Sequence, residues 1–174
     1  MYPLERFEIT QQPKRQVDIL MLLDEVKRSP FIGEISPDEI TRLLREDAVL
    51  FFYEGDILAG LAGWNTIHGT WVEAGPFYTA EAYRGQGLGS LMFDTTVERL
   101  QRQAGHKLYA VTKNPMVKLM FLKRGFHQVR IWALPRAVQV YLLKKLTPRR
   151  LLRHVRKLRF GDSVSHFIKD GSSG

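Results

Sequence analysis

A glycine-rich segment, Tyr83-Arg84-Gly85-Gln86-Gly87-Leu88-Gly89, constrains the fold more than any other part of the 174-residue chain. It follows an apolar, strand-like run and precedes an amphipathic helical pattern, so it should connect a strand to a helix. Glycine has no Cβ, which lets the backbone approach a ligand closely. The first N–H groups of the following helix and its dipole favour an anion. The segment therefore predicts a binding site for a phosphate or pyrophosphate group.

Two common phosphate-binding loops do not fit this segment. A Walker A loop requires a Gly-Lys-Ser/Thr sequence, and the segment contains no lysine. A Rossmann fingerprint requires a third glycine where Ser90 stands. Its acidic ribose-binding residue, expected about 20 residues further on, is also missing around Ala104–Lys107. What remains is the pattern Arg84-x-x-Gly87-x-Gly89, with a simple glycine-rich turn as the alternative interpretation.

A second motif lies downstream, where Asn114-Pro115 begins a short helical pattern that ends at Gly125-Phe126. Asn114 is the predicted N-cap of this helix, with Pro115 at its first position. Together with Arg84-x-x-Gly87-x-Gly89, this motif resembles the GNAT superfamily of acetyl-CoA-dependent N-acetyltransferases. The resemblance covers roughly residues 5–146. It implies acetyl-CoA as the co-substrate and a direct attack of an amine acceptor on the thioester in a ternary complex.

The order of the predicted elements agrees with an α+β fold, a mixed and mainly antiparallel sheet flanked by helices, because strands and helices do not alternate strictly. Ser36 is the predicted N-cap of the second helix, with Pro37 at its first position. Helices are predicted for 13–27, 36–46, 88–104 and 115–124. Strands are predicted for 6–10, 48–53, 57–64, 71–79, 108–112, 126–133 and 138–144.

The strand Trp71–Thr79 contains Gly75-Pro76 in its middle. Proline removes a hydrogen-bond donor from the sheet, so the strand should splay from Leu108–Thr112 there. The alternative is that Pro76 only marks the end of the strand. The resemblance implies that pantetheine lies in this gap and that pyrophosphate binds the glycine-rich loop. The residues implied to contact the coenzyme are Phe77, Tyr78, Thr79, Arg84, Gly85, Gln86, Gly87, Leu88, Gly89, Ser90, Asn114 and Phe121.

Glu73 is the candidate general base. It matches the position where some GNAT members carry a catalytic glutamate, and an amine with a pKa near 10 must lose a proton before it attacks. A solvated glutamate on a half-exposed strand is the alternative. Phe121 stands where many members have a tyrosine that protonates the leaving thiolate, so Tyr78, Tyr83, Tyr109 or water remain open as the acid.

Composition excludes several kinds of site and reaction intermediate. The chain has no cysteine, which excludes disulfides, thiolate metal sites and an acyl-cysteine intermediate, and is compatible with the cytoplasm. The five histidines show no metal-ligand spacing, so we expect no metal. No apolar run reaches the length of a transmembrane helix. The sequence indicates neither an oligomeric state nor the identity of the amine acceptor.

The C-terminal part carries the excess positive charge. Residues 1–146 are predicted to form the GNAT-like domain, 147–169 a basic amphipathic extension containing a helix, and 170–174 a disordered end. The helix could bind an anionic surface through its basic face, or dock by its leucines on its own domain, the commoner case. The extension leaves a second function class open: a non-catalytic acyl-CoA-binding or scaffold domain whose basic tail binds an anionic partner.

Overall fold

The computed structural model describes residues 4–28, 36–102, 106–145 and 164–171. Within these ranges the chain forms five α-helices and seven β-strands. The helices are α1 (Gln16–Arg28), α2 (Pro37–Arg45), α3 (Leu88–Arg102), α4 (Pro115–Lys123) and α5 (Arg136–Lys145). The strands are β1 (Glu8–Thr10), β2 (Val49–Glu54), β3 (Ile57–His68), β4 (Trp71–Thr79), β5 (Lys107–Thr112), β6 (His127–Val129) and β7 (Ser165–Lys169).

The strands form one sheet in the order β1-β2-β3-β4-β5-β7-β6. Pairing is antiparallel between β1 and β2, β2 and β3, β5 and β7, and β6 and β7. It is parallel between β4 and β5, where Trp71–Glu73 pair with Lys107–Tyr109. The predicted mixed, mainly antiparallel sheet flanked by helices is therefore confirmed.

The chain divides into two compact units. The first contains residues 1–65 and 74–103, which include α1, α2, α3 and most of β3. Its core is built on β2, where Val49 to Tyr53 are all buried because both faces of the strand are covered. Met92 and Phe93 of α3 are fully buried in the same unit. The predicted N-cap of α2 is confirmed, since the Ser36 hydroxyl accepts a hydrogen bond from the Glu39 N–H at 3.1 Å.

The second unit contains residues 66–73 and 104–174, with the first half of β4, the strands β5, β6 and β7, and the helices α4 and α5. One buried cluster joins Tyr109 of β5 to Leu134 and Val138. A second set of contacts surrounds Phe121, whose ring lies 5.5 Å from that of Phe126 and 5.2 Å from that of Phe167. The two clusters hold α5 and α4 on the strands of this unit.

The prediction of a strand over Val138–Lys144 is wrong, because Arg136–Lys145 is the helix α5. The β-branched Val138 and Val140 favour a strand locally. Packing decides for the helix: Val138 and Leu142, four residues apart, lie on one helical face and pack in the cluster around Tyr109. Lys144 and Lys145 in the last turn also complement the helix dipole.

The predicted strand over 126–133 is much shorter in the structure. Only His127–Val129 are strand, and Ile131–Ala133 form a 3-10 turn.

The last residues of the C-terminal extension form a strand that was not predicted from the sequence. Ser165–Lys169 form β7, which pairs with β5 over five positions and with β6 over three. Phe167 is fully buried, which explains why this segment joins the sheet. Asp170 belongs to the end that was expected to be disordered, residues 170–174. Its Oδ1 atom lies 3.7 Å from the Lys107 ammonium. The predicted basic helix falls outside the described residues, as do residues 172–174.

Candidate active site

The glycine-rich loop connects a 3-10 turn at Glu81–Tyr83 to α3. Gly85 has a φ of 74° and Gly87 a φ of 85°, in the left-handed region that glycine adopts without a steric penalty. The carbonyl of Gly87 accepts hydrogen bonds from the N–H groups of Ser90 at 3.0 Å and Leu91 at 3.1 Å, which closes the first turn of α3. The two positive φ angles therefore turn the chain directly into the helix, as the sequence pattern predicts.

Side chains fix this loop against the end of β4. Arg84 Nε donates to the carbonyl of Thr79 at 3.2 Å, and Gln86 Nε2 donates to the carbonyl of Ala82 at 2.7 Å. A Cβ on Gly89 would lie 3.7 Å from Thr79 Oγ1, so the start of α3 passes close to the same strand end. The structure thus brings together Thr79, Arg84 and Gly89, three of the residues predicted to contact the coenzyme.

The loop presents an environment suited to an anion. The first N–H groups of an α-helix have no acceptor within the helix and carry the positive end of its dipole. The first turn of α3 contains no acidic side chain that would compete for them. Leu88 is buried at 2% exposure, so its side chain belongs to the core and only its backbone could meet a ligand. The Arg84 side chain is exposed.

The second half of β4 is held by its neighbours in the first unit. Gly75 has a φ of 137° and is followed by Pro76 through a cis peptide bond. Asn65 Nδ2 donates to the Gly75 carbonyl at 3.1 Å. Phe77 packs against Phe93 of α3, with ring centroids 5.5 Å apart. The strand is irregular where the sequence predicts an interruption, while the proposed gap for pantetheine stays a prediction.

Glu73 lies in the second unit and is only 8% exposed. Its Oε2 atom accepts a hydrogen bond from the Tyr141 hydroxyl at 2.6 Å and from the Lys145 ammonium at 2.6 Å. Tyr141 and Lys145 are four residues apart on α5, so both project from the same side of that helix. Glu73 is therefore not a solvated surface glutamate: it is the buried centre of a partly exposed polar cluster.

A second polar pair adjoins this cluster through the sheet. Tyr109 is the register partner of Glu73 on β5, and its hydroxyl lies 2.7 Å from His166 Nδ1 on β7. Burial, and then the negative charge of Glu73, raises the pKa of Tyr109 above its usual range. Burial also lowers the pKa of His166, which favours the neutral imidazole. In the tautomer that carries its proton on Nε2, neutral His166 can accept a hydrogen bond from the Tyr109 hydroxyl at Nδ1.

Sequence reasoning missed Tyr141 and Lys145, because it assigned their segment to a strand. The signal that could have found them is the spacing of Val138, Tyr141, Leu142 and Lys145. The apolar Val138 and Leu142 are four residues apart, and so are the polar Tyr141 and Lys145. Both spacings are close to one turn of an α-helix. On a helix, that spacing aims both polar side chains at the same neighbour.

Two other predicted coenzyme contacts have clear packing roles in the second unit. Asn114 caps α4, its Oδ1 accepting a hydrogen bond from the Met116 N–H at 2.9 Å. Phe121 is 2% exposed, stacks with Phe126 and contacts Phe167 edge to face. The capping role of Asn114 is confirmed, and coenzyme contacts by Asn114 and Phe121 stay predictions.

The three tyrosines considered as general acids are all engaged by other side chains. The Tyr78 hydroxyl donates to Glu25, and burial together with this bond raises the pKa of Tyr78 above its usual range. Burial, followed by a hydrogen bond to Glu54, raises the pKa of Tyr83 as well. Tyr109 bonds to His166. Each of these tyrosines therefore releases its proton less readily than a free tyrosine.

Two classes of site are not found in the described part of the chain. Residues 4–28, 36–102, 106–145 and 164–171 contain no group of three or more histidine, aspartate or glutamate side chains placed to hold a metal ion. In the same ranges, no helix has the length and apolar character needed to span a membrane.

Comparison with known proteins places the glycine-rich loop and the neighbouring strand β4 in one family pattern. The sequence model of the Acetyltransferase (GNAT) family matches residues 19–126, which include β4, the glycine-rich loop, α3 and α4. The chain belongs to the GNAT acetyltransferase family. No curated protein sequence matches this GNAT chain significantly.

Solved structures show the same fold at low sequence identity. The ribosomal-protein-S18-alanine N-acetyltransferase from Escherichia coli is 11% identical, with a TM-score of 0.66 and coverage of 97% of this chain and 96% of that one. Rv2747 from Mycobacterium tuberculosis, in complex with CoA and NLQ, is 11% identical, with a TM-score of 0.68 and coverage of 94% and 98%.

A third structure is a larger protein. N-acetylglutamate synthase from Neisseria gonorrhoeae, in complex with coenzyme A and N-acetyl-glutamate, is 14% identical with a TM-score of 0.68. The match covers 95% of this chain but only 35% of the synthase, so the present chain spans about a third of that protein's length. At these identities the likeness shows the fold, and the substrates belong to those proteins.

Proposed function

We propose that this GNAT protein is an N-acetyltransferase that transfers the acetyl group of acetyl-CoA to an amine by direct attack. The observation that carries the proposal is the loop Arg84–Ser90, whose two positive-φ glycines lead directly into α3. Family membership supports acetyl-CoA as the co-substrate. The pyrophosphate would accept hydrogen bonds from the first N–H groups of α3, with Arg84 adding a positive charge.

The coenzyme residues of this proposal fall into two groups. In the first unit, Arg84, Gly85, Gln86, Gly87, Leu88, Gly89 and Ser90 would hold the pyrophosphate, and Phe77, Tyr78 and Thr79 the pantetheine. A backbone N–H of Phe77–Thr79 facing the thioester oxygen would stabilise the developing oxyanion, an effect of about 3 kcal/mol per donor in other enzymes. Asn114 and Phe121, which belong to the second unit, are also proposed to contact the coenzyme.

Glu73 is the proposed general base. A primary amine is mostly protonated at neutral pH, so a carboxylate that accepts its proton generates the nucleophile. The cluster with Tyr141 and Lys145 supports this role, because it shows that the Glu73 carboxylate can bind an ammonium group directly. The nitrogen then attacks the thioester carbon, and the C–S bond breaks.

No tyrosine is proposed as the general acid. Phe121 has no hydroxyl, and Tyr78, Tyr83 and Tyr109 are engaged elsewhere. A thiol has a pKa of about 8.5. Coenzyme A can therefore leave as a thiolate and take its proton from the attacking nitrogen or from water.

We also propose that the protein is cytoplasmic, since a chain without cysteine is compatible with a reducing compartment.

One observation favours a second candidate, a non-catalytic acyl-CoA-binding domain. The aromatic ring of Phe121 is a core element, packed between Phe126 and Phe167, at the position where many family members carry their acid. In this alternative the basic segment after residue 146 would recruit an anionic partner. The two candidates share coenzyme binding and differ in turnover.

An acceptor screen separates the candidates. The protein is incubated with acetyl-CoA and a panel of amino acids, polyamines, aminoglycosides and peptides with free N-termini or lysines. Thiol release and mass spectrometry of the products measure turnover, and calorimetry measures CoA binding. Acetylated product from at least one amine is the expected result. CoA binding without product across the panel would favour the non-catalytic domain, and absence of CoA binding would contradict both.

A further inference from the structure

The side of α5 that faces away from the sheet is both apolar and basic. Val138 and Leu142 hold the opposite side of this helix against the cluster around Tyr109. The side facing away carries four residues at the spacing of one helical face, namely Arg136, Val140, Leu143 and Lys144. Val140 is 42% exposed and Leu143 is 66% exposed, and both basic residues are exposed. This face therefore keeps two aliphatic side chains in contact with solvent between two cations.

The 3-10 turn at Ile131–Ala133 adjoins this face of α5. Gln139 lies one helical turn from Leu143 and donates through Nε2 to the carbonyl of Trp132 at 3.1 Å, which fixes the turn beside the exposed side of the helix. Trp132 is 70% exposed, and the guanidinium of Arg130 lies 5.3 Å from the centre of its ring. We call the combined area the α5 surface, and its members are Arg130, Trp132, Arg136, Val140, Leu143 and Lys144.

The second unit carries a large excess of positive charge. Its described residues, 66–73, 106–145 and 164–171, include ten lysine and arginine residues and two acidic residues. The acidic residues are Glu73, which pairs with Lys145, and Asp170, which lies 3.7 Å from Lys107. Both are therefore engaged by lysines outside the α5 surface. A surface of this sign attracts anionic partners and repels a second copy of itself, because a symmetric contact would bring its own cations together.

We propose that the α5 surface binds a lipid bilayer that contains anionic lipid. The three cations of the surface would contact the lipid headgroups, where each gains from the negative surface potential. Val140 and Leu143 would enter the boundary between headgroups and acyl chains, which removes them from water. Trp132 suits the same depth, because indole has an apolar ring and one polar N–H group. Binding through this surface does not depend on acetyl transfer.

The aliphatic side chains favour a bilayer over a nucleic acid. A single-stranded nucleic acid could pair its phosphates with the three cations and stack one base on Trp132. It has no apolar region that would receive Val140 and Leu143. A bilayer matches both the charge and the apolar character of the surface, since lysine and arginine lay their alkyl stems along apolar groups and keep their charged ends in water.

Vesicle binding by the full-length protein tests the proposal. Sedimentation measures partitioning into phosphatidylcholine vesicles, with or without phosphatidylserine, at increasing salt concentration. We expect binding that requires phosphatidylserine and weakens as salt is added. Replacing Arg130, Arg136 and Lys144 together with glutamine should lower the partition coefficient about 10²-fold, since each basic residue near an anionic surface contributes about fivefold.

Two leucines of equal exposure provide a matched control for the apolar contact. Leu143 on α5 and Leu20 on α1 are both 66% exposed. Leu143→Asn should weaken vesicle binding about tenfold, because it removes an aliphatic side chain from the apolar contact. Leu20→Asn should leave vesicle binding unchanged.

Chemical labelling of the unchanged protein needs no variant. Acetic anhydride labels exposed amines, and mass spectrometry locates and quantifies the label. Ile168 packs with the cluster beneath α5 and Phe167 packs with α4, so the two helices lie on opposite faces of the sheet. Vesicles that contain phosphatidylserine should therefore slow the labelling of Lys144 on α5 and leave Lys123 on α4, which is also exposed, unaffected.

No binding to vesicles with phosphatidylserine, or equal binding to vesicles without it, would overturn the inference. So would equal slowing of labelling at Lys144 and Lys123. Protection of Lys144 by single-stranded RNA but not by vesicles would identify a nucleic acid as the partner instead. Protection that rises with protein concentration in the absence of vesicles would show that a second copy covers the surface. CoA binding is measured in parallel, and its loss would contradict the proposed function without touching this inference.

Discussion

Replacing Gly87 with valine tests the coenzyme loop most directly. Gly87 has a φ of 85°, where a β-branched residue is strained by about 1–3 kcal/mol. The added side chain also stands at the start of α3, where the proposed pyrophosphate would meet the backbone. We expect the free energy of unfolding to fall by that strain. We also expect CoA affinity to fall at least tenfold, equivalent to about 1.4 kcal/mol of binding energy.

Gly55→Val is the matched control for this experiment. Gly55 has a φ of 58° in the turn between β2 and β3, and a Cβ there would meet no atom within 4 Å. The control therefore introduces comparable backbone strain in the same unit but leaves the loop unchanged. Urea denaturation measures the loss of stability in both variants, and calorimetry measures CoA binding. A folded Gly87→Val protein with unchanged CoA affinity would refute the loop assignment.

The remaining predictions concern the base, alkaline stability and the basic segment. Glu73→Gln should lower turnover with little effect on the KM for acetyl-CoA. The loss of turnover should shrink as pH rises, because more of the amine is then already neutral. A variant with wild-type turnover at pH 7 would show that Glu73 is not the general base. Burial raises the pKa of Tyr53 to about 12 from 10.0, so the unfolded chain loses this proton first. The free energy of unfolding should then fall as pH rises from about 10 to about 12, and Tyr53→Phe should make urea-measured stability fall less steeply over that window. An equal slope in both proteins would contradict this assignment. Truncation after α5 would also remove β7, so the basic segment is better tested by replacing its lysine and arginine residues with glutamine. We expect this variant to keep its melting temperature and to bind heparin more weakly. Salt-sensitive binding of the unchanged protein to anionic vesicles that disappears in the variant would instead show that the segment recruits an anionic surface. The exchanged residues are Arg149, Arg150, Arg153, Arg156 and Lys157.

The parts of the fold that sequence predicts well are those fixed by local interactions. The loop at Gly85 and Gly87 requires left-handed backbone angles, and glycine is the residue that adopts them without a steric penalty. The Ser36 and Asn114 caps satisfy N–H groups two or three residues away. Such signals lie within a few residues of the structure that they specify, so a single sequence contains them in full.

The parts that sequence failed to predict depend on contacts between distant residues. Val138–Lys144 has side chains that fit either a strand or a helix, and its contact with Tyr109 selects the helix. Ser165–Lys169 follows a long basic stretch, and nothing local indicates that it pairs with β5. Burial of Phe167 provides the reason, which becomes visible only when the sheet is assembled.

The same distinction applies to Glu73. Its position on β4 and its resemblance to a catalytic glutamate are visible in the sequence, but its chemical environment is not. That environment comes from Tyr141 and Lys145, 68 and 72 residues further along the chain. An external amine that uses Glu73 as its base must take the place of the Lys145 ammonium at Oε2. The acceptor is therefore selected in competition with a side chain of the protein itself, and an amine that cannot replace an ammonium group in a shielded ion pair should be a poor substrate.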